Sequence, residues 1–142
     1  MQRLQTRPQF QAVLAGAIVA RTMHFALHRI ALDVMNMQTV VSKTHDSPEL
    51  FPLQDIWLGA MVPKRWARRA VTRNAIKRQI YNVSDRFGDR LPVAAHVVRL
   101  RATFDRKQFI SATSEHLKLA VRQELEQLFE RAVRPQAPEV RA

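Results

Sequence analysis

Residues 67–87 constrain this chain more than any other segment. Ile76, Ile80, Val83 and Phe87 fall at i, i+4, i+7 and i+11, an apolar stripe along one side of a helix. The same stretch and its approach are strongly basic. Seven of the fifteen residues 64–78 are Lys or Arg (Lys64, Arg65, Arg68, Arg69, Arg73, Lys77 and Arg78), and none is acidic. No Asp or Glu occurs between Ile56 and Ser84. The stripe demands an apolar partner layer, while the basic rows demand water or a polyanion. Arg73, Lys77 and Tyr81 line up as one row of the helix, with Asn74 and Arg78 in the next. Like charges one turn apart repel by a few tenths of a kcal/mol per pair. A polyanion would remove that cost and release its own counterions on binding.

Composition points the same way. The 142 residues carry 23 Lys+Arg against 12 Asp+Glu, a formal net charge of +11. Apolar content (46%) and charged content (25%) are those of a globular protein, so the excess lies in the sign of the charge. A surface of this charge on one small domain calls for nucleic acid or an anionic membrane. The core, not the basic arc, claims the apolar stripe, which argues against a helix lying on lipid. There is no cysteine. That excludes a disulfide scaffold, a thiolate zinc site and cysteine catalysis, and fits a reducing cytoplasm. No run reaches the roughly 18 apolar residues of a membrane span. Residues 12–20 imitate a signal peptide behind Arg3 and Arg7, but Gly16 interrupts the run and Arg21 follows it. A short helix followed by a strand is the expected reading there.

The remaining elements follow from local pattern. Thr6, Pro8 and Gln9 form a capping-box signature that opens a helix over 7–15, with Phe10, Val13 and Leu14 on one face. From Met23 the period becomes two: Met23, Phe25 and Leu27 alternate with His24, Ala26 and His28. Residues 36–55 read as a loop, in which Thr39, Val40 and Val41 could extend a hairpin. Residues 56–62 read as a buried strand ended by Pro63. Residues 93–101 read as another, with Val93, Ala95, Val97 and Arg99 on one face. Asp105 is a candidate cap for a last long helix, where Leu117, Val121, Leu125, Leu128 and Ala132 keep the helical period. The expected fold is α+β, an α/β sandwich with one small sheet packed with helices in the order α-β-β-(β)-α-β-α. Residues 1–134 form the single domain, and 135–142 a disordered tail.

The twelve acids are scattered and absent from the basic segment, so no carboxylate constellation for protein-centred phosphodiester hydrolysis is visible. His24 and His28 share a face of the first strand, but a zinc site would need further ligands. Two readings of them stay open. They are plain surface, or His24, Ala26 and His28 face Phe10 and Leu14 across a shallow groove. Trp66 either stacks on a nucleic acid beside Lys64 and Arg65 or anchors the start of the basic helix. Trp57 and Phe25 belong to the core. No helix-turn-helix precedes residue 67, which argues against a major-groove regulator. A structural, ribosome-associated RNA binder would use the same basic helix.

The run Arg68-Arg69-Ala70-Val71-Thr72-Arg73-Asn74-Ala75-Ile76-Lys77-Arg78 resembles the signature of the protein component of bacterial ribonuclease P, an Arg-rich helix with Arg-Asn, two residues, then Lys-Arg. Lys64-Arg65 is similar to that family's basic pair at the end of the preceding strand, and residues 8–14 to its first helix. Tyr81-Asn82 stands where the family usually continues with Arg-Glu. The resemblance implies an α/β sandwich with a left-handed βαβ crossover. It implies a ribonucleoprotein that removes the 5′ leader of precursor tRNA, in which the RNA subunit does the chemistry with Mg²⁺. Lys64, Arg65, Arg68, Arg69, Arg73, Asn74, Lys77 and Arg78 would then bind ribonuclease P RNA. Phe10, Leu14, Ala26 and His28 would line the cleft for the precursor-tRNA leader. No catalytic residue, resident metal, membrane or small-molecule substrate is expected of the protein itself, and a cytoplasmic location is.

Overall fold

The computed structural model describes residues 1–32, 54–104 and 115–133. The hairpin extension at 39–41, most of the 36–55 loop, the Asp105 cap and the 135–142 tail lie outside the described residues. The elements are β1 (Gln2–Arg3), α1 (Arg7–Leu14), β2 (Ala17–Arg21), β3 (Phe25–Ile30), β4 (Trp57–Met61), α2 (Ala70–Arg86), β5 (Ala95–Leu100) and α3 (Glu115–Val133). The five strands form one mixed sheet in the order β1-β4-β5-β3-β2. β1, β4 and β5 run parallel, while β3 is antiparallel to both β5 and β2. The fold is α+β, as the pattern predicts, and β4 and β5 are parallel neighbours joined through α2.

Strand alternation assigns the two faces of the sheet. Phe25, Leu27, Leu58, Ala60, Val98 and Leu100 pack with Ile76, Ile80, Val83 and Phe87 of α2 and Leu117, Val121, Leu125, Leu128, Phe129 and Ala132 of α3. Phe87 and Phe129 stack at 5.5 Å where the two helices meet. The other face packs Trp57, Ala95 and Val97 against Val13 of α1, with Phe10 and Leu14 half-buried at its edge. Burying one such side chain contributes about 1.5–3 kcal/mol. Each like-charge pair on α2 costs only about 0.2–0.5 kcal/mol. Burial of four side chains therefore outweighs the repulsion, and α2 folds without an acid in its first turn.

Three boundaries depart from the sequence reading, each for a physical reason. The pattern did not mark β1, and it gave no bounds to β2, the strand expected after the first helix. β1 is too short to show a period. In β2 the pairing with β3 shifts register between Ile18 and Ala20, so the period of two is broken there. The turn before β2 is tight: a Cβ on Gly16 would sit 2.5 Å from the Arg29 carbonyl oxygen. The basic helix starts at Ala70 rather than residue 67. Ala67 is buried in the core, and the carbonyls of Ala67 and Arg68 accept hydrogen bonds from Arg73 Nη1 at 3.1 and 2.7 Å instead of from helical amides. By contrast the α1 capping box forms as read. Thr6 Oγ1 accepts from the Gln9 amide at 3.3 Å, and Gln9 Oε1 accepts from the Thr6 amide at 3.1 Å.

Candidate nucleic-acid interface

The buried stripe of α2 decides which of its side chains meet solvent. Lys64, Arg65, Arg68, Arg69, Asn74 and Arg78 are exposed, and Arg73 and Lys77 are half-buried beside them. One helix and its approach loop thus bring all eight together. Among the described residues, no carboxylate lies within ion-pairing distance of any of these cations. The C-terminal part of the same helix is treated differently. There Arg86 pairs with Glu126 of α3 at 2.6 Å, and just beyond the helix Arg90 pairs with Glu130 at 3.4 Å. The N-terminus of α2 adds to the positive field. Its N-cap is Arg69, with no side-chain cap. The first-turn amides and the helix dipole therefore favour an anion there.

Arg73 has a second task. Its bonds to the Ala67 and Arg68 carbonyls fix the loop that carries Arg68 and Arg69. Trp66 anchors this loop as well. It packs half-buried against the core, and its carbonyl accepts from Thr103 Oγ1 at 2.7 Å. Its ring also lies 5.5 Å beneath the Arg65 guanidinium.

A second basic feature lies on the α1 face of the sheet. Cross-strand register places Met61, Arg99, Ala26 and Arg21 in one row from β4 to β2. The next row is Gly59, Val97, His28 and Ile18. Phe10 of α1 closes over Gly59, where a Cβ would meet the Phe10 ring at 2.6 Å. So α1 covers the Gly59 row and leaves the arginine row beside it. Ala26 is fully buried and His28 only 6% exposed. Both lie beneath the surface, and the groups that reach solvent beside α1 are Arg21 and Arg99 along with the edges of Phe10 and Leu14.

His28 nevertheless shapes the cleft. Arg99 Nε donates to His28 Nε2 at 3.2 Å, which places the imidazole proton on Nδ1. Burial first, then the charge of Arg99, push the His28 pKa below its ordinary value, so the ring stays a neutral acceptor. A hydrogen bond between the ring and the Leu14 backbone opposes that shift. Arg99 is itself pushed down, first by burial and then by Arg101, Arg65 and Arg21. Of these, Arg101 is held by the carbonyls of Thr22 and Met23 at 2.7 and 2.6 Å.

His24 does not join this groove. It precedes β3, where the alternation has not begun, and it turns to α3. Its Nδ1 meets Glu124 Oε1 at 2.7 Å and its ring stacks on Phe104 at 4.0 Å. Glu124 Oε2 also accepts from Thr22 Oγ1 and the His24 amide, so this cluster ties the β2–β3 turn to α3. The sequence reading missed Arg21 and Arg99 as cleft residues. Arg99 carried a signal, since it is the charged position on the face that also holds Ala95 and Val97. Among the described residues no group of three or more His, Asp or Glu is placed to hold a metal ion. No described helix is long and apolar enough to cross a membrane.

Comparison with known proteins bears on the fold and the family. The ribonuclease P family model matches residues 1–133. The ribonuclease P protein component of Ralstonia pickettii (strain 12J) is 33% identical over 136 residues, covering 94% of this chain and 80% of the relative. The Staphylococcus aureus RNase P protein superposes with a TM-score of 0.62 at 18% identity, over 92% of this chain and 94% of that one. A second structure of the S. aureus RNase P protein gives 0.56 at 20% identity, over 92% and 88%. The structural matches support the fold, and the family match and the R. pickettii relative place the sequence: this chain belongs to the ribonuclease P protein family.

Proposed function

We propose that this chain is the protein subunit of a ribonucleoprotein endonuclease that removes the 5′ leader of precursor tRNA in the cytoplasm. Lys64, Arg65, Arg68, Arg69, Asn74, Lys77 and Arg78 bind the catalytic RNA, with Arg73 bracing their loop. The cleft beside α1 binds the single-stranded leader. The observation that carries this reading is the uneven treatment of charge along α2. Arg86, and Arg90 just beyond the helix, are paired with acids of α3, whereas among the described residues no acid pairs with any cation from Lys64 to Arg78. Fixed positive charge of that kind is complementary to a phosphate backbone and gains from counterion release.

The chemistry in this reading belongs to the RNA. The RNA would hold the Mg²⁺ that this chemistry uses. The protein's part is to bind and to orient. Arg99, held by neutral His28, and Arg21 present fixed charge on the sheet beside α1. An extended single strand suits such a surface, because its phosphates and unstacked bases are both accessible.

The test separates leader binding from RNA-subunit binding. With a bacterial ribonuclease P RNA present, the wild-type protein should favour precursor tRNA over mature tRNA. Arg99→Ala should remove most of that preference, about tenfold in affinity, while binding to the RNA subunit stays near wild type. A contact to a charged group is worth about 1.5–3 kcal/mol, which sets the scale. Equal affinity of the wild-type holoenzyme for both tRNAs would contradict the leader assignment.

A further inference from the structure

The basic row on α2 runs Arg73, Lys77, Tyr81 at helical spacing, and its third position carries no charge. The fold supplies one from another element. The Arg3 guanidinium lies over the Tyr81 ring at 3.9 Å. The placement is built into the backbone. β1 pairs in parallel with β4, with Arg3 opposite Leu58, whose side chain belongs to the α2 face of the sheet. The amides of Gln2 and Leu4 donate to the Ile56 and Leu58 carbonyls at 2.8 and 2.9 Å, which pins the strand on both sides of Arg3. Arg3 is exposed and Tyr81 half-buried against the core, so a fixed ring carries a solvent-facing cation.

We propose that Arg3 is a further RNA contact, holding a backbone phosphate at the far end of the α2 row, with Tyr81 as its positioning residue. The proposal rests on the RNA-binding reading above and extends that surface from one helix to the edge of the sheet. Three observations support it. Among the described residues no carboxylate lies within ion-pairing distance of Arg3, and Asp85, one turn beyond Tyr81, is not paired with it. Stacking on the ring uses one face of the planar guanidinium and leaves its N–H edges free to fork onto phosphate oxygens. Lys77 and Arg78 lie one turn before Tyr81, so Arg3 adds a third cation around one ring. Such an arrangement is unfavourable in isolation and favourable against a polyanion.

The test is equilibrium binding of the full chain to a refolded bacterial ribonuclease P RNA over a range of KCl. Arg3→Gln should flatten the slope of log K against log salt by about 0.9, one phosphate contact. Over the range from about 1 M to about 0.15 M salt, that slope corresponds to a roughly fivefold loss of affinity. Tyr81→Phe should bind like wild type, because the ring remains. Tyr81→Leu should weaken binding although no charge is lost, and thermal melts keep any unfolding apart from this effect. Arg78→Ala serves as the reference variant. If Arg78→Ala moves affinity and slope while Arg3→Gln moves neither, the proposal is overturned and the α2 interface stands. If neither variant has an effect, the interface and the proposal fall together. Wild-type binding by folded Tyr81→Leu would overturn the positioning role.

Discussion

Alanine at Arg68, Arg69 and Arg78 together should lower affinity for ribonuclease P RNA about a hundredfold at about 0.15 M salt. The three side chains are exposed and make no ion pair among the described residues, so their removal leaves the core intact. Each phosphate contact contributes about 0.9 to the slope of log K against log salt, so three should remove about 2.7. Between about 1 M and about 0.15 M salt that slope amounts to roughly two orders of magnitude. Arg73 does not suit this test. Its guanidinium holds the Ala67 and Arg68 carbonyls, so Arg73→Ala would disturb the loop as well as the charge. A loss under threefold, with an unchanged salt slope, would mean that this face is not the RNA interface.

The second large effect concerns stability in acid. His96 is fully buried in β5. Arg29 Nε donates to its Nδ1 at 3.2 Å, so the ring proton sits on Nε2 and donates to the Pro92 carbonyl, also at 3.2 Å. Burial first, then the Arg29 charge, push the His96 pKa down to about 4 from an ordinary 6.5. Between these two values the unfolded chain binds a proton that the folded one does not. Stability is therefore fully present above about pH 6.5 and is lost as the pH falls toward 4. The slope should approach about 1.4 kcal/mol per pH unit, and the loss should reach about 3 kcal/mol. Asp55 acts in the same direction but only below its ordinary 3.8, beyond the His96 window, since hydrogen bonds from Gln2 and the Ile56 amide pull its pKa down. Urea unfolding from pH 7 to 4 measures this directly. His96→Gln keeps one acceptor and one donor but cannot titrate, so its curve should be flatter by most of that slope. Parallel curves for the two proteins would show that His96 does not govern the acid limb.

What the sequence revealed and what it hid divide along the range of the interactions. The α2 and α3 stripes and the capping box of α1 are decided within a few turns, and they were legible residue by residue. The basic face was legible too, because helical spacing alone gathers Arg68, Arg69, Asn74 and Arg78. The cleft was not. Arg21, Ala26 and Arg99 come together only through the register of three strands, one of them bulged. His24 looked like a partner of His28 by alternation, yet it precedes the strand and its neighbours are Glu124 and Phe104, far off in sequence. Arg73 reads as one more basic contact until its bonds to two loop carbonyls are seen. Tyr81 reads as the end of a row until β1 brings Arg3 to it.

The central claim is that this protein assists an RNA catalyst by supplying charge and holding the leader. The most direct measurement is cleavage of a precursor tRNA at low Mg²⁺ by a bacterial ribonuclease P RNA, with and without the protein. Cleavage at the mature 5′ end only when both are present is the predicted result. RNA binding without any rescue of cleavage would contradict it and leave a structural RNA binder; cleavage by the protein alone, surviving removal of all RNA cofactor, would contradict it from the other side.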